Sequence, residues 1–142
     1  MEIQLLRADL ASMKVDALVF PSDPQTREPG DATTTVTGGN LLARFIIHVR
    51  VPMATEADAD ARLRSATQEA LNRAEELAVA SVGLPAIGTD PFGFDLERCA
   101  RAMLSATIDH RSRYRGLQRA VFCMFNQDEY TAFERVLKEL DR

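Results

Sequence analysis

The sequence predicts a single α/β domain over residues 1–142, built on a mostly parallel sheet, and three observations carry that prediction. Short apolar runs rich in β-formers occur at 15–20 (VDALVF), 81–87 (SVGLPAI) and 120–125 (AVFCMF). Between and after the last two runs lie long segments whose apolar residues recur at helical spacing. Strands alternating with helices give a parallel sheet covered on both faces. Hydrophobic residues at 46% and charged residues at 27% suit a globular domain of 142 residues, large enough to bury a core without staples.

Taken in order, residues 2–7 read as a first strand and 15–20 as a second, which Pro21 prevents from continuing as a helix. The stretch PSDPQTREPGDA holds three prolines and a glycine and reads as a loop. A threonine-rich strand, TTTVTGG, closes on Gly38-Gly39, and RFIIHVRV follows as a fourth strand. From Glu56 to about Val79, Leu63, Ala66, Ala70, Leu71, Ala74 and Leu77 form one helical stripe, with Thr55 and Asp58 as its expected cap. After SVGLPAI, Asp95 opens a second helix carrying Cys99, Met103 and Leu104 on its inner face. Asn126 followed by Glu129 signals the cap of a last helix after AVFCMF. The order is β-β-β-β-α-β-α-β-α, and in such sheets ligands bind beyond the carboxyl ends of the strands. The loops after Phe20, Ile87 and Phe125 are where chemistry is expected.

Composition narrows the function. A net charge of −4 argues against a duplex-sized phosphate footprint, so no nucleic-acid partner is expected. Cys99 and Cys123 lie in apolar periodic segments and read as buried thiols. No apolar run reaches membrane-spanning length, and acidic Glu2 stands where a secretory signal would be basic, so a cytoplasmic location is expected. No triad or metal-ligand spacing occurs. Asp9, Asp23, Asp90 and Asp95 could converge at the strand ends, but their spacing is no known cation motif, and neither metal nor cofactor is expected. His48 reads as a structural histidine within its strand, and His110 as a cation complementing a helix end.

Several segments together resemble the macro-domain family, the ADP-ribose-binding, Appr-1''-p processing family. Residues 3–10 followed by VDALV resemble its first two strands; TGGNLL with FIIH resembles its Thr-Gly-x-Asn-Leu-Pro and Val-Ile-His region. GLPAIGTDPFGF resembles its phosphate-holding second loop, and VFCMF before Tyr130 its final strand. The resemblance implies a three-layer α/β/α sandwich on a mixed, mostly parallel six-stranded sheet, with strand order 1-6-5-2-4-3. It also implies binding residues: Asp9 and Leu10 with Phe125 for adenine, Ser22 and Asp23 beside the ribose, Gly88, Thr89, Asp90, Phe92, Gly93 and Phe94 around phosphate, and Asn126 beyond. From the residues alone, Asp9 is equally a turn former, Asp23 a solvated loop residue, and Phe92, Phe94 and Phe125 core aromatics.

The departures from the family pattern are specific. The glycine-rich first loop and its helix are missing, and so are the main-chain donors such a loop supplies. Asp90-Pro91 stands where the family offers amides to a pyrophosphate, adding a carboxylate and a residue without an N–H. A carboxylate about 4 Å from a phosphate costs roughly 4 kcal/mol at an effective dielectric near 20, more than the roughly 1.5–3 kcal/mol of one hydrogen bond to a charged group. The expected function is therefore weak, non-catalytic binding of ADP-ribose or a related adenine nucleotide. The alternative is a degenerate domain without a nucleotide, forming a homodimer or other assembly through the sheet face that the missing helix leaves bare. ADP-ribosyl hydrolysis ranks last.

Overall fold

The computed structural model describes residues 1–22, 32–36 and 42–141. Asp23 and the Gly38-Gly39 pair lie outside them. The chain runs β1 (Glu2–Arg7), a three-residue 3-10 turn (Leu10–Ser12), β2 (Ala17–Ser22), β3 (Ala32–Val36), β4 (Phe45–Arg50), α1 (Ala59–Glu76), β5 (Ser81–Leu84), α2 (Leu96–Arg113), β6 (Arg119–Met124) and α3 (Gln127–Leu140). Five strands, β1-β6-β5-β2-β4, form the parallel sheet, and β3 joins antiparallel at the β4 edge.

β2 runs two residues past its expected end, through Pro21 and Ser22. Its register with β5 covers only Ala17 and Leu18, whereas its register with β4 continues to Ser22↔Arg50. Beyond Leu18, β2 is therefore paired on one side only, where proline's missing N–H is tolerated.

The amino ends of the parallel strands are laced together. The Asp16 carboxylate accepts from the amides of Ala80 (3.0 Å) and Ser81 (3.1 Å), and the Ser81 hydroxyl accepts from the Asp16 amide at 3.0 Å. The Asp16 carbonyl accepts from Arg44 and Phe45 at the start of β4, and the Ala80 carbonyl from Gln118 and Arg119 at the start of β6. Glu2 of β1 then donates to the Gln118 carbonyl at 2.9 Å.

The helices line one face side by side, α1 against α2 and α2 against α3. Alternation along each strand sends Ala17, Val19, Ile47, Val49, Val82, Leu84, Ala120, Phe122 and Met124 toward them. There they pack with Leu63, Leu71, Met103 and Phe133. Both expected caps of α2 and α3 are present: Asp95 accepts from the Arg98 amide at 2.8 Å, and Asn126 from the Glu129 amide at 2.9 Å. The expected cap of α1 is not. Asp58 holds the N-cap position with φ 55° and makes no side-chain capping bond, while the Glu56 carboxylate accepts from the Met53 amide at 2.6 Å.

The opposite face differs from the expected sandwich. Among the described residues no α-helix covers it, so they form two layers rather than three. Its cover is the segment through Met13 and Val15, which buries Leu18, Val121 and Cys123. Of the strip expected to be bare, Leu18 is buried and Phe20 and Ile46 are half-buried, which leaves less apolar surface for self-association than the missing helix implied. His110 is also more than a dipole partner: its Nε2 lies 3.0 Å from Glu75, which accepts from the Leu117 amide and joins α1, α2 and the approach to β6.

Because one carboxylate serves two amides and a hydroxyl, Asp16→Ala is expected to cost about 2–4 kcal/mol, with Asp16→Asn retaining part of that. Urea unfolding measures this, and an unchanged midpoint for Asp16→Ala would remove the carboxylate from the account of the sheet.

Candidate functional site

A cleft of about 840 Å³ opens beyond the carboxyl ends of β1 and β6, lined by Arg7, Ala8, Asp9, Leu10, Pro85, Cys123 and Phe125. It continues into a hollow of about 640 Å³ over β5 and β2, which shares Leu10, Pro85, Cys123 and Phe125 and adds Phe20, Pro21, Thr89, Asp90, Asn126, Asp128 and Glu129. This is where a parallel α/β sheet takes a ligand.

Phe125 is the first residue after β6, and its ring is exposed: the residue is 86% accessible. Its backbone is fixed by the cap of α3. While Asn126 accepts from the Glu129 amide, the Glu129 carboxylate reaches back to the Phe125 amide at 2.8 Å. The pair resembles a capping box shifted by one residue, with the carboxylate taking the amide of the residue before the cap, and it fixes the Phe125 backbone at the mouth of the cleft. Asp9 fulfils the turn-former reading. One carboxylate oxygen accepts from the Ala11 amide at 3.1 Å and caps the 3-10 turn, while the other has no hydrogen-bond partner among the described residues. Leu10 supplies an apolar wall.

The second loop departs from the expected arrangement. Phe92 and Phe94 are 3% and 4% exposed and belong to the core, as the residues alone suggested, rather than facing a phosphate. Their burial anchors the loop from below, with the Ala54 amide donating to the Phe92 carbonyl at 2.8 Å. Gly88 also faces inward: a Cβ there would lie 2.8 Å from Leu63 and 3.3 Å from the Cys99 sulfur, so close packing explains this glycine. Gly93 has φ +90°, and its amide, like that of Phe92, is directed to the Thr89 carbonyl. The Thr89 hydroxyl donates to the Ala86 carbonyl. The amides of Thr89 and Asp90 donate to no acceptor among the described residues and remain available. Asp90 is exposed, so water screens its charge and its repulsion toward a phosphate falls nearer to about 1 kcal/mol than to the 4 expected. Ser22 ends β2 beside Arg50.

Several lining residues were not singled out from the sequence: Arg7, Pro85, Asp128 and Cys123 as a wall of the cleft. Glu129 was legible only as a cap. Among the described residues no cluster of His, Cys, Asp and Glu could hold a metal ion. Burial pushes the Cys99 thiol up to about 12, and raises that of Cys123, whose sulfur donates to the Ala8 carbonyl at 2.7 Å. Neither is a ready nucleophile. No helix among the described residues is long and apolar enough to cross a membrane.

The fold and the cleft are those of an α/β domain with an open groove at the carboxyl ends of its parallel strands. The chain belongs to the macro domain family, whose profile matches residues 22–103. It is 32% identical over 108 residues to an uncharacterized protein of Sulfolobus acidocaldarius, covering 76% of this chain and 58% of that protein. It is 32% identical over 110 residues to a macro domain-containing protein of Caldanaerobacter subterraneus, covering 75% and 62%. The chain thus spans about three-fifths of the length of these relatives. In structure it is similar to an Oceanobacillus iheyensis macrodomain mutant with ADPR, with TM-score 0.86, 16% identity and coverage of 96% and 92%. It is also similar to the Trypanosoma brucei macrodomain in complex with ADP, with TM-score 0.84, 21% identity and coverage of 96% and 69%.

The Cys99 thiol yields a prediction. Its proton is held more tightly in the folded chain than at the ordinary thiol value of 9.0, so its contribution to stability is complete below about pH 9 and is lost as pH rises toward 12. Stability should fall by up to about 1.4 kcal/mol per pH unit in that window. Unfolding measured against pH should show this fall reduced in Cys99→Ala relative to wild type; parallel curves would show that Cys99 does not contribute it.

Proposed function

We propose that this macro domain binds the adenine end of ADP-ribose or a related adenine nucleotide, weakly and without catalysis. The observation that carries the reading is Phe125, an aromatic ring 86% exposed yet fixed at its backbone by the Asn126–Glu129 cap, in the same cleft as Asp9. An exposed flat apolar ring on a rigid mount suits a purine face, and the free oxygen of Asp9 can accept from a base amino group. Relatives of the fold with ADPR and with ADP support the choice of ligand class.

The weakness follows from charge and donors. Asp9, Asp90, Asp128 and Glu129 line the cleft, with Arg7 the one basic side chain among its described lining residues. The second loop keeps two free amides where Pro91 and the inward-turned Gly93 offer none. The absence of catalysis is inferred from the lining itself, where the nearest candidate nucleophile, Cys123, is a protonated thiol bonded to a carbonyl.

Calorimetric titration with adenosine and ADP-ribose tests the reading. ADP-ribose should bind no more than about tenfold tighter than adenosine. Phe125→Ala should weaken both by roughly five- to a hundredfold, the range for losing one base–aromatic stack, about 1–3 kcal/mol, with unfolding unchanged. No heat from either ligand at millimolar concentration, or full binding by Phe125→Ala, would refute it.

A further inference from the structure

We propose that Arg50 is an anion-binding residue that takes a phosphate of a ligand lying along the strand ends, a role that rests on the nucleotide reading only for the identity of the ligand. Arg50 is the last residue of β4, in register with Ser22 of β2. Ile47 and Val49 point into the core beneath the helices, so alternation places Ile46, His48 and Arg50 on the opposite face. That is the face of Phe20 and Cys123, which line the cleft.

Among the described residues the buried Arg50 Nε has no hydrogen-bond partner and the guanidinium forms no ion pair. Buried donors are nearly always satisfied, so an unsatisfied one calls for an explanation, and a charged donor all the more. Three arginines of α2 contrast with it: Arg98 is paired with Asp60, Arg101 with Glu97 and Glu139, and Arg111 with Asp141. Arg50 is paired with no acidic side chain among the described residues.

Its place along the row of strand ends fits an extended nucleotide. From β6, which leads into Phe125, to β4 is three strand spacings, roughly 14 Å. A base against Phe125 would send its phosphates across the ends of β5 and β2, past the free amides of Thr89 and Asp90, toward β4. A guanidinium there provides a planar fork of donors suited to phosphate and offsets the repulsion of Asp90. The acidic lining near the base and the cation beyond it would together favour nucleotides whose anionic group is held well away from the base.

The experiment reads the Arg50 Nε–H resonance directly, assigned by its disappearance in Arg50→Lys, during titration of the wild-type chain with inorganic pyrophosphate, adenosine and ADP-ribose. Pyrophosphate and ADP-ribose should shift the resonance and adenosine should not. Arg50→Gln should weaken ADP-ribose at least tenfold, leaving it no tighter than adenosine, whose affinity stays as in wild type. If neither pyrophosphate nor ADP-ribose moves the resonance, the proposal is overturned, even if adenosine binds. If pyrophosphate moves it and adenosine does not bind at all, Arg50 stands as an anion site and the adenine reading falls. The wild-type titration decides this even if Arg50→Gln does not fold.

Discussion

The structure depends first on one carboxylate at the start of β2. Asp16 binds the entry to β5 through its side chain and the entry to β4 through its carbonyl, and Ala80 and Gln118 extend the lacing to β6 and β1. A parallel sheet has no tight hairpins to set its register, so the starts of its strands must be aligned by contacts of this kind. With the amino ends fixed, the carboxyl ends fall into line on the other side of the sheet. The cleft is the consequence: Arg7 and Met124 finish side by side, while β5 stops at Leu84, opposite Phe122, and leaves room between β6 and the longer β2.

On that base, the site divides its aromatics between support and contact. Phe92 and Phe94 go inward and hold the second loop against α1 and α2, with the Arg98 guanidinium stacked over the Phe94 ring at 4.8 Å. Phe125 goes outward, which costs exposed apolar surface and is sustained by the cap of α3. The same Glu129 that fixes the Phe125 amide adds negative charge to the hollow, so the fixed backbone beneath the ring and the acidity of the hollow have a common source. Arg50, on the far side, is the counterweight.

Much of this was readable in the residues, and the failures have physical reasons. Asp95 and Asn126 announced their helices because a cap is a local bond between near neighbours. The α1 cap misled because Thr55, Glu56 and Asp58 all had the chemistry, and only the path of the preceding turn decided which carboxylate was used. Phe92 and Phe94 could not be assigned because a loop has no period to say which side chain faces in. Asp9 could be read two ways, and the capping bond to the Ala11 amide bears out the turn former. The second helical layer was expected from the alternation of strands and helices and from the family resemblance, but Met13 and Val15 bury part of that face without a helix. Arg50 carried no signal in the sequence, since an arginine at the end of a strand is unremarkable until its Nε is seen to lack an acceptor among the described residues.

The central claim is that the base of a nucleotide rests on Phe125 with Asp9 at its edge. A crystal structure of the chain soaked in ADP-ribose tests it most directly. The account predicts purine density stacked on the Phe125 ring with its amino group within hydrogen-bond distance of the Asp9 carboxylate. A nucleotide bound elsewhere with that ring left bare would contradict it.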